Sequence, residues 1–274
     1  MWSSLQRFVL LFLMGLPASW ADEGKPKVLA SIEPLAKIAR ELLGDSADVE
    51  VLLPAGANPH QYALKISDLA RIKSSTLLIW NGPRLEPYLK AAVAKTAVAH
   101  INFHSSQGGK ASALHEDPHY WLSPERASAM AAAMAHHLGL PEQHIQEYQL
   151  EREALLERWK TRLAGKKLAV YHDGYEHLAA PFGFEVLAAV SAGEGKGISI
   201  AKRLKLKQEL KAASCLLAEP YSEAERAKLL AEQEGLKLVW IDPLAHQAPE
   251  PFYHPWMERM MSDLSGCFED LTER

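Results

Sequence analysis

The sequence lacks a surplus of basic residues, and this absence excludes several kinds of partner. Its 274 residues include 30 lysines and arginines against 34 aspartates and glutamates, so the formal net charge is −4 at pH 7. Proteins that bind nucleic acid or an anionic membrane surface need a concentrated positive patch. We therefore expect no nucleic-acid partner. In other respects the composition is that of a globular chain, with 48% hydrophobic residues.

Long hydrophobic runs are also scarce. The one that stands out, Phe8–Leu16, follows the cationic Arg7 and is followed by the small residues Ser19 and Ala21. This order is typical of a secretory signal peptide, and the run is too short for a permanent membrane span. We assign residues 1–21 to a cleavable signal peptide. Since no cysteine follows the run, we expect no lipid anchor and a periplasmic location.

Cysteine is nearly absent, since the chain has only Cys215 and Cys267. In an exported chain two cysteines indicate one disulfide, because the compartment is oxidising. The alternative is a pair of buried thiols. Neither interpretation makes the chain a disulfide-rich scaffold.

The apolar residues that are present form short continuous runs separated by helical patterns. Strands are predicted at residues 27–32, 49–54, 76–80 and 98–102, and again at 167–172, 184–190, 215–220 and 236–242. Continuous runs, unlike alternating ones, favour parallel sheets that are covered on both faces. The prediction is an α/β fold of two lobes, each a parallel sheet flanked by helices.

A long helix is predicted between the two halves, over residues 142–164. Its many charges surround a thin apolar stripe of Tyr148, Leu155, Leu156 and Trp159. Such a helix can bridge two bodies. The resulting division is an N-terminal lobe at 22–123, a connecting region at 124–165 and a C-terminal lobe at 166–274.

Three histidines and one aspartate occupy positions that favour ligand binding. His60 comes soon after the second strand, His172 and Asp242 end strands of the second half, and His119 precedes a helix. Ligands of open parallel sheets bind beyond the carboxyl ends of the strands. Three imidazoles with a carboxylate or water form a tetrahedral zinc site, although imidazole also suits copper, nickel and iron.

Several stretches resemble motifs of the metal-binding solute-binding proteins of ABC importers, in particular their zinc-uptake subgroup of the ZnuA type. The stretches are "GANPHQYAL", "WNGPRLEPYL", "DPHYWLSP", "YHDGYEHL", "CLLAEPYS" and "LVWIDPL". They occur in the family's order and cover nearly the whole chain after the signal peptide.

The resemblance implies two lobes joined by one long rigid helix, with the metal in the cleft between them. His60, His119 and His172 match the family's three histidine ligands, and Asp242 matches its carboxylate near the fourth position. Manganese-type relatives carry glutamate at the position of His172, so the match favours zinc. Cys215 and Cys267 match a disulfide that ties a strand to the final helix.

The function implied is high-affinity capture of Zn(II) in the periplasm and its delivery to an ABC-type permease in the inner membrane. Zinc is then the transported ligand, the protein is not an enzyme, and we expect a monomer. The chain departs from the subgroup in three places. Its 103–118 loop has few histidines, Pro59 replaces a possible glutamate ligand, and Ala245 stands where glycine is usual.

Three alternatives remain. A three-histidine site with an open position would also serve a zinc hydrolase, in which Asp173 or Glu219 would act as general base. A family member of this kind can instead carry manganese or another divalent metal. An adhesive role is not distinguished from transport by the sequence.

Overall fold

The computed structural model describes residues 24–103, 117–191, 200–221 and 223–269, without the side chains of residues 200–204. The predicted signal peptide and most of the 103–118 loop lie outside this part of the chain. Within it, no helix has both the length and the apolar character that crossing a bilayer requires.

The described chain contains two parallel four-stranded sheets, as the apolar runs predict. The first has the order β2-β1-β3-β4 and consists of β1 (Lys27–Ala30), β2 (Asp48–Val51), β3 (Leu77–Trp80) and β4 (Ala99–Asn102). The second has the order β6-β5-β7-β8 and consists of β5 (Lys167–His172), β6 (Glu185–Ser191), β7 (Cys215–Ala218) and β8 (Lys237–Trp240). The inner strands β3 and β7 are buried along their whole length, which explains their continuous apolar sequence.

Helices connect and cover the strands. In the first half they are α1 (Glu33–Leu43), α2 (Ile66–Ser74), α3 (Pro87–Val93) and α4 (Pro124–Leu138). From the linking segment onward they are α5 (Glu142–Leu163), α6 (Glu176–Phe182), α7 (Ile200–Ala212), α8 (Ala224–Glu234) and α9 (Tyr253–Ser265). The pattern of apolar runs does not predict α2. This helix has nine residues, shorter than the window in which apolar periodicity identifies a helix, although Ile66, Leu69 and Ile72 have helical spacing.

The predicted linking helix is α5, with 22 residues and a length of about 33 Å. It packs against α1 and α4 of the first half and against α6 and α9 of the second half. Tyr148, Leu155 and Trp159 are buried in the predicted stripe, whereas Leu156 is partly buried. Because its buried side chains belong to a hydrophobic cluster that includes both α1 and α9, the helix joins the two lobes through a shared core.

A disulfide links β7 to the end of the chain. Cys215 and Cys267 are bonded, with their Cα atoms 5.3 Å apart and 52 residues of sequence separation. Cys215 begins β7, and Cys267 lies in a short 3-10 helix that directly follows α9. The disulfide therefore fixes the last helix against the second sheet.

Candidate metal site

Three imidazole nitrogens converge in the cleft between the lobes. The Nε2 atom of His119 lies 3.4 Å from Nε2 of His60 and 3.3 Å from Nε2 of His172. One nitrogen from each ring lies within 4.8 Å of the other two. His119 is buried, and His60 and His172 are half-buried. Two nitrogens that bind one tetrahedral zinc at about 2.05 Å lie about 3.3 Å apart, so both short separations match a shared zinc ion.

The fold brings these three rings together from both lobes. His60 lies in the loop after β2, where its backbone N–H donates to Asn58 Oδ1 at 2.8 Å. His172 is the last residue of β5, and His119 immediately precedes a 3-10 turn at Tyr120–Leu122. Two rings thus come from the first lobe and one from the second, which puts the cluster at the point where the lobes face each other.

Asp117 orients His119. Its Oδ1 atom accepts hydrogen bonds from Nδ1 of His119 at 2.6 Å and from the His119 backbone N–H at 2.9 Å. A carboxylate can only accept, so Nδ1 of His119 carries the proton and Nε2 presents its lone pair to the cleft. Burial alone would raise the pKa of Asp117, but the hydrogen bonds and charge of His119 outweigh it, and this pKa is lowered.

Burial favours the neutral form of two of the rings. Loss of solvent lowers the pKa of His60 to about 4, and the neighbouring imidazoles of His119 and His172 add to the effect. Burial also lowers the pKa of His172, although the charge of Glu219 opposes the shift. Only a neutral imidazole can bind a metal, so both rings are prepared for binding near neutral pH.

A glycine and a tryptophan pack against the His119 ring. A Cβ atom added to Gly174 would lie 2.6 Å from both Nδ1 and Cε1 of that ring, so only glycine permits this approach. The Trp121 ring meets the imidazole edge-on, with centroids 5.2 Å apart. Trp121 is fully buried, and its Nε1–H donates to the Pro243 carbonyl at 2.7 Å. It is therefore both a core residue and one wall of the site.

Asp242, the fourth residue predicted for the site, is not among the side chains that converge with the histidines. Its Oδ1 atom accepts a hydrogen bond from the Tyr221 hydroxyl, and its Oδ2 atom accepts one from the backbone N–H of Gln247 at 2.7 Å. The turn that follows has Ala245 at φ = 55°, a left-handed conformation that favours glycine. The glycine that the resemblance implies at this position would adopt this backbone conformation without strain.

The two acids considered as general bases are also placed by the fold. Asp173 is exposed, consistent with a side chain that points away from the neighbouring His172. Glu219 follows β7 and accepts a hydrogen bond from the buried Tyr175 hydroxyl at 2.7 Å. The charge of Glu219 reaches His172, but neither acid joins the three converging rings.

Two parallel α/β lobes, joined by a long helix and with polar groups facing each other across the cleft, define a two-lobe solute-binding protein. Residues 28–267 match the family described as ZnuA, zinc-uptake complex component A, periplasmic. The chain belongs to this family.

Individual relatives agree with this assignment. The chain is 29% identical over 264 residues to the high-affinity zinc uptake system protein ZnuA of Yersinia pestis, covering 79% of this chain and 82% of the relative. It is 25% identical over 281 residues to the protein of that name from Paracoccus denitrificans, covering 84% and 86%. Among solved structures, the periplasmic zinc-binding protein TroA of Treponema pallidum matches with a TM-score of 0.74 and 19% identity, covering 90% of this chain and all of that one.

Proposed function

We propose that this protein captures Zn(II) in the periplasm and delivers it to an ABC-type permease in the inner membrane. The single observation that carries the proposal is the 3.3–3.4 Å spacing of the imidazole nitrogens, which is the spacing that one tetrahedral zinc requires. Membership of a family of periplasmic zinc-uptake components supports the cargo and the compartment.

The proposed ligands are His60, His119 and His172. Three neutral nitrogen donors suit a borderline metal such as zinc better than manganese, which prefers oxygen. The Asp117 carboxylate strengthens this choice because it holds His119 in one tautomer and makes Nε2 a better donor.

Asp242 remains the proposed fourth ligand, with water as the alternative. For Asp242 to bind, its carboxylate must exchange the Tyr221 hydroxyl for the metal, and the turn that carries it must move toward the histidines. Water fills the fourth position in the arrangement in which Asp242 keeps its hydrogen bonds. This arrangement predicts that Asp242→Ala weakens zinc binding less than loss of any of the three histidines.

The test is metal analysis of protein purified from the periplasm without added zinc, followed by chelator competition with zinc and manganese. We expect about one zinc per chain and a clear preference over manganese. His60→Ala, His119→Ala and His172→Ala should each weaken zinc binding strongly. His137→Ala is the matched control, because this exposed histidine of α4 is not among the converging residues. Parental affinity in a site variant would remove that residue from the proposed set.

No observation in the described structure favours the hydrolase over the carrier. A screen of esters and phosphoesters with the zinc-loaded protein tests this alternative directly. Turnover that depends on Glu219 or Asp173 would support the enzyme, whereas bound zinc without turnover supports the carrier.

A further inference from the structure

A second buried acid lies in the first lobe, away from the three histidines. Glu86 is completely buried, and so are its neighbours Ser31 and Asn81 at the ends of β1 and β3. Burial raises the pKa of Glu86 to about 7, although the hydrogen bond from the backbone N–H of Asn81 opposes the shift. A carboxyl in such a place is costly, so its contacts need an explanation.

The Glu86 carboxyl contacts the residue that directly follows β3. Its Oε2 atom accepts a hydrogen bond from the backbone N–H of Asn81 at 2.7 Å. The Glu86 backbone N–H donates to the Gly82 carbonyl at 3.0 Å, which closes the loop on itself. The carboxyl therefore fixes where the backbone of Asn81 lies.

Asn81 in turn holds the segment that carries a proposed ligand. Its Nδ2 atom donates to the Pro118 carbonyl at 2.6 Å, and Pro118 directly precedes His119. From the other lobe, Nε2 of His177 lies 3.0 Å from the Asp117 carbonyl. The short segment 117–119 is thus held from both sides of the cleft, and Asn81 is the support from the first lobe.

We propose that Glu86 is a positioning residue for the metal site, acting through Asn81 on the Pro118 carbonyl and so on the His119 ring. The inference rests on the proposed zinc function, because it assigns His119 as a ligand. Glu86 does not touch the metal. It sets the location of one donor nitrogen, and a displaced donor weakens binding even though all three histidines remain.

The experiment compares Glu86→Met, Asn81→Leu and the double variant in the full protein. Met keeps the length of the side chain but removes both acceptor oxygens, and Leu removes the amide that reaches Pro118. We expect each single variant to weaken zinc binding about ten-fold or more, as loss of groups that orient ligands commonly does. Because both act along one chain of contacts, the double variant should lose at most about two-fold more than the worse single variant.

Ile72→Ala is the matched control for general destabilisation, because Ile72 is buried in the same lobe on α2 and belongs to a separate apolar cluster. It should lower the thermal midpoint of the metal-free protein and leave zinc affinity at the parental value. NMR of labelled histidine rings in the metal-free protein gives a readout that needs no zinc. The His119 signals should shift in Glu86→Met and Asn81→Leu but not in Ile72→Ala.

Unchanged His119 signals together with parental zinc affinity in both single variants would overturn the proposal, and so would effects that simply add in the double variant. If one variant fails to fold, the other decides. If the parent binds no zinc but the His119 signals still shift, the proposed function fails and the positioning role stands.

Discussion

At the scale of single residues, the site depends on atoms that approach each other across the cleft. His119 is held by Asp117 on its Nδ1 side, by Trp121 at its edge and by Gly174 of the other lobe. Each contact leaves Nε2 free to face His60 and His172. The ring is therefore fixed before any metal arrives, which lowers the entropy cost of binding.

We predict that Gly174→Ala weakens zinc binding at least ten-fold. The added methyl group would lie 2.6 Å from two atoms of the His119 ring, so the ring must move away from its partners. Gly266→Ala is the matched control, since a Cβ there meets nothing within 4 Å and the glycine has an ordinary helical φ. Chelator competition on both variants measures the effect. Equal affinities for Gly174→Ala and the parent would contradict the close approach of the two lobes at this glycine.

Proton release gives a second prediction at this scale. Three unperturbed histidines would release roughly two protons per zinc at pH 6, because each has a pKa near 6.5. The pKa of His60 is lowered to about 4, so this ring is already neutral at pH 6, and the lowered pKa of His172 reduces the share of its ring that is protonated. We expect a release clearly below two protons, measured by titration calorimetry at pH 6 in buffers of different ionisation enthalpy. A release of two or more would mean that burial does not keep these rings neutral.

At the scale of helices and strands, the sequence predicts the two sheets well. It predicts poorly the contacts between loops that hold the histidines in place. Runs such as those of β3 and β7 are apolar throughout because both faces are covered, and this pattern is visible without a structure. The three histidines are predictable for a related reason, since each lies near the end of a strand or start of a helix. By contrast, α2 has only nine residues, too few for the helical spacing of Ile66, Leu69 and Ile72 to stand out from the surrounding loops.

Contacts between distant segments could not be predicted in this way. The closeness of Gly174 to His119, and the link from Glu86 through Asn81 to Pro118, depend on how loops from different strands meet. The hydrogen bond from the His119 backbone N–H to Asp117 is the contact that the sequence could have predicted. An aspartate commonly accepts a hydrogen bond from the backbone N–H two residues further on. The hydrogen bonds that hold Asp242 away from the histidines also appear only in the folded chain.

The disulfide belongs to this scale, because it joins β7 to the segment after α9. We predict that the Cys215→Ser, Cys267→Ser double variant lowers the free energy of unfolding by up to about 4 kcal/mol, as the chain-entropy model gives for a loop closed over 52 residues. Denaturant titration of the metal-free protein measures this loss. Zinc affinity should stay within a few-fold of the parent, since neither cysteine is among the converging residues. Two free thiols in denatured, unreduced parent protein would contradict the bond itself.

At the scale of the whole molecule, the two lobes share one apolar core. The largest buried cluster includes residues of α1 in the first lobe, Leu155 and Trp159 of α5, and Met257 of α9. Polar contacts also join α1 of the first lobe to the segment around α9. Glu41 of α1 accepts from the backbone N–H of His254 at 2.9 Å and lies 2.6 Å from its Nδ1, and buried Lys37 donates to the Glu250 carbonyl.

We therefore predict that the metal-free protein unfolds in a single cooperative transition. Separate lobes with independent cores would melt in two steps, whereas a shared core links their unfolding. Differential scanning calorimetry should give a calorimetric enthalpy equal to the van't Hoff enthalpy. Excess zinc should raise the midpoint without splitting the transition, because the ion binds only the folded state. Two resolved transitions in the metal-free protein would contradict the shared core.

The matching strand orders of the two sheets contrast with the unequal contributions of the two halves to the site. Each half repeats the same arrangement, with its first strand between its second and third. Yet His60 and His119 come from one half and His172 from the other, so neither half alone carries all three of the converging nitrogen donors. Both halves must therefore fold and pack together before the three donors can surround one ion, and a half produced alone would have an incomplete shell.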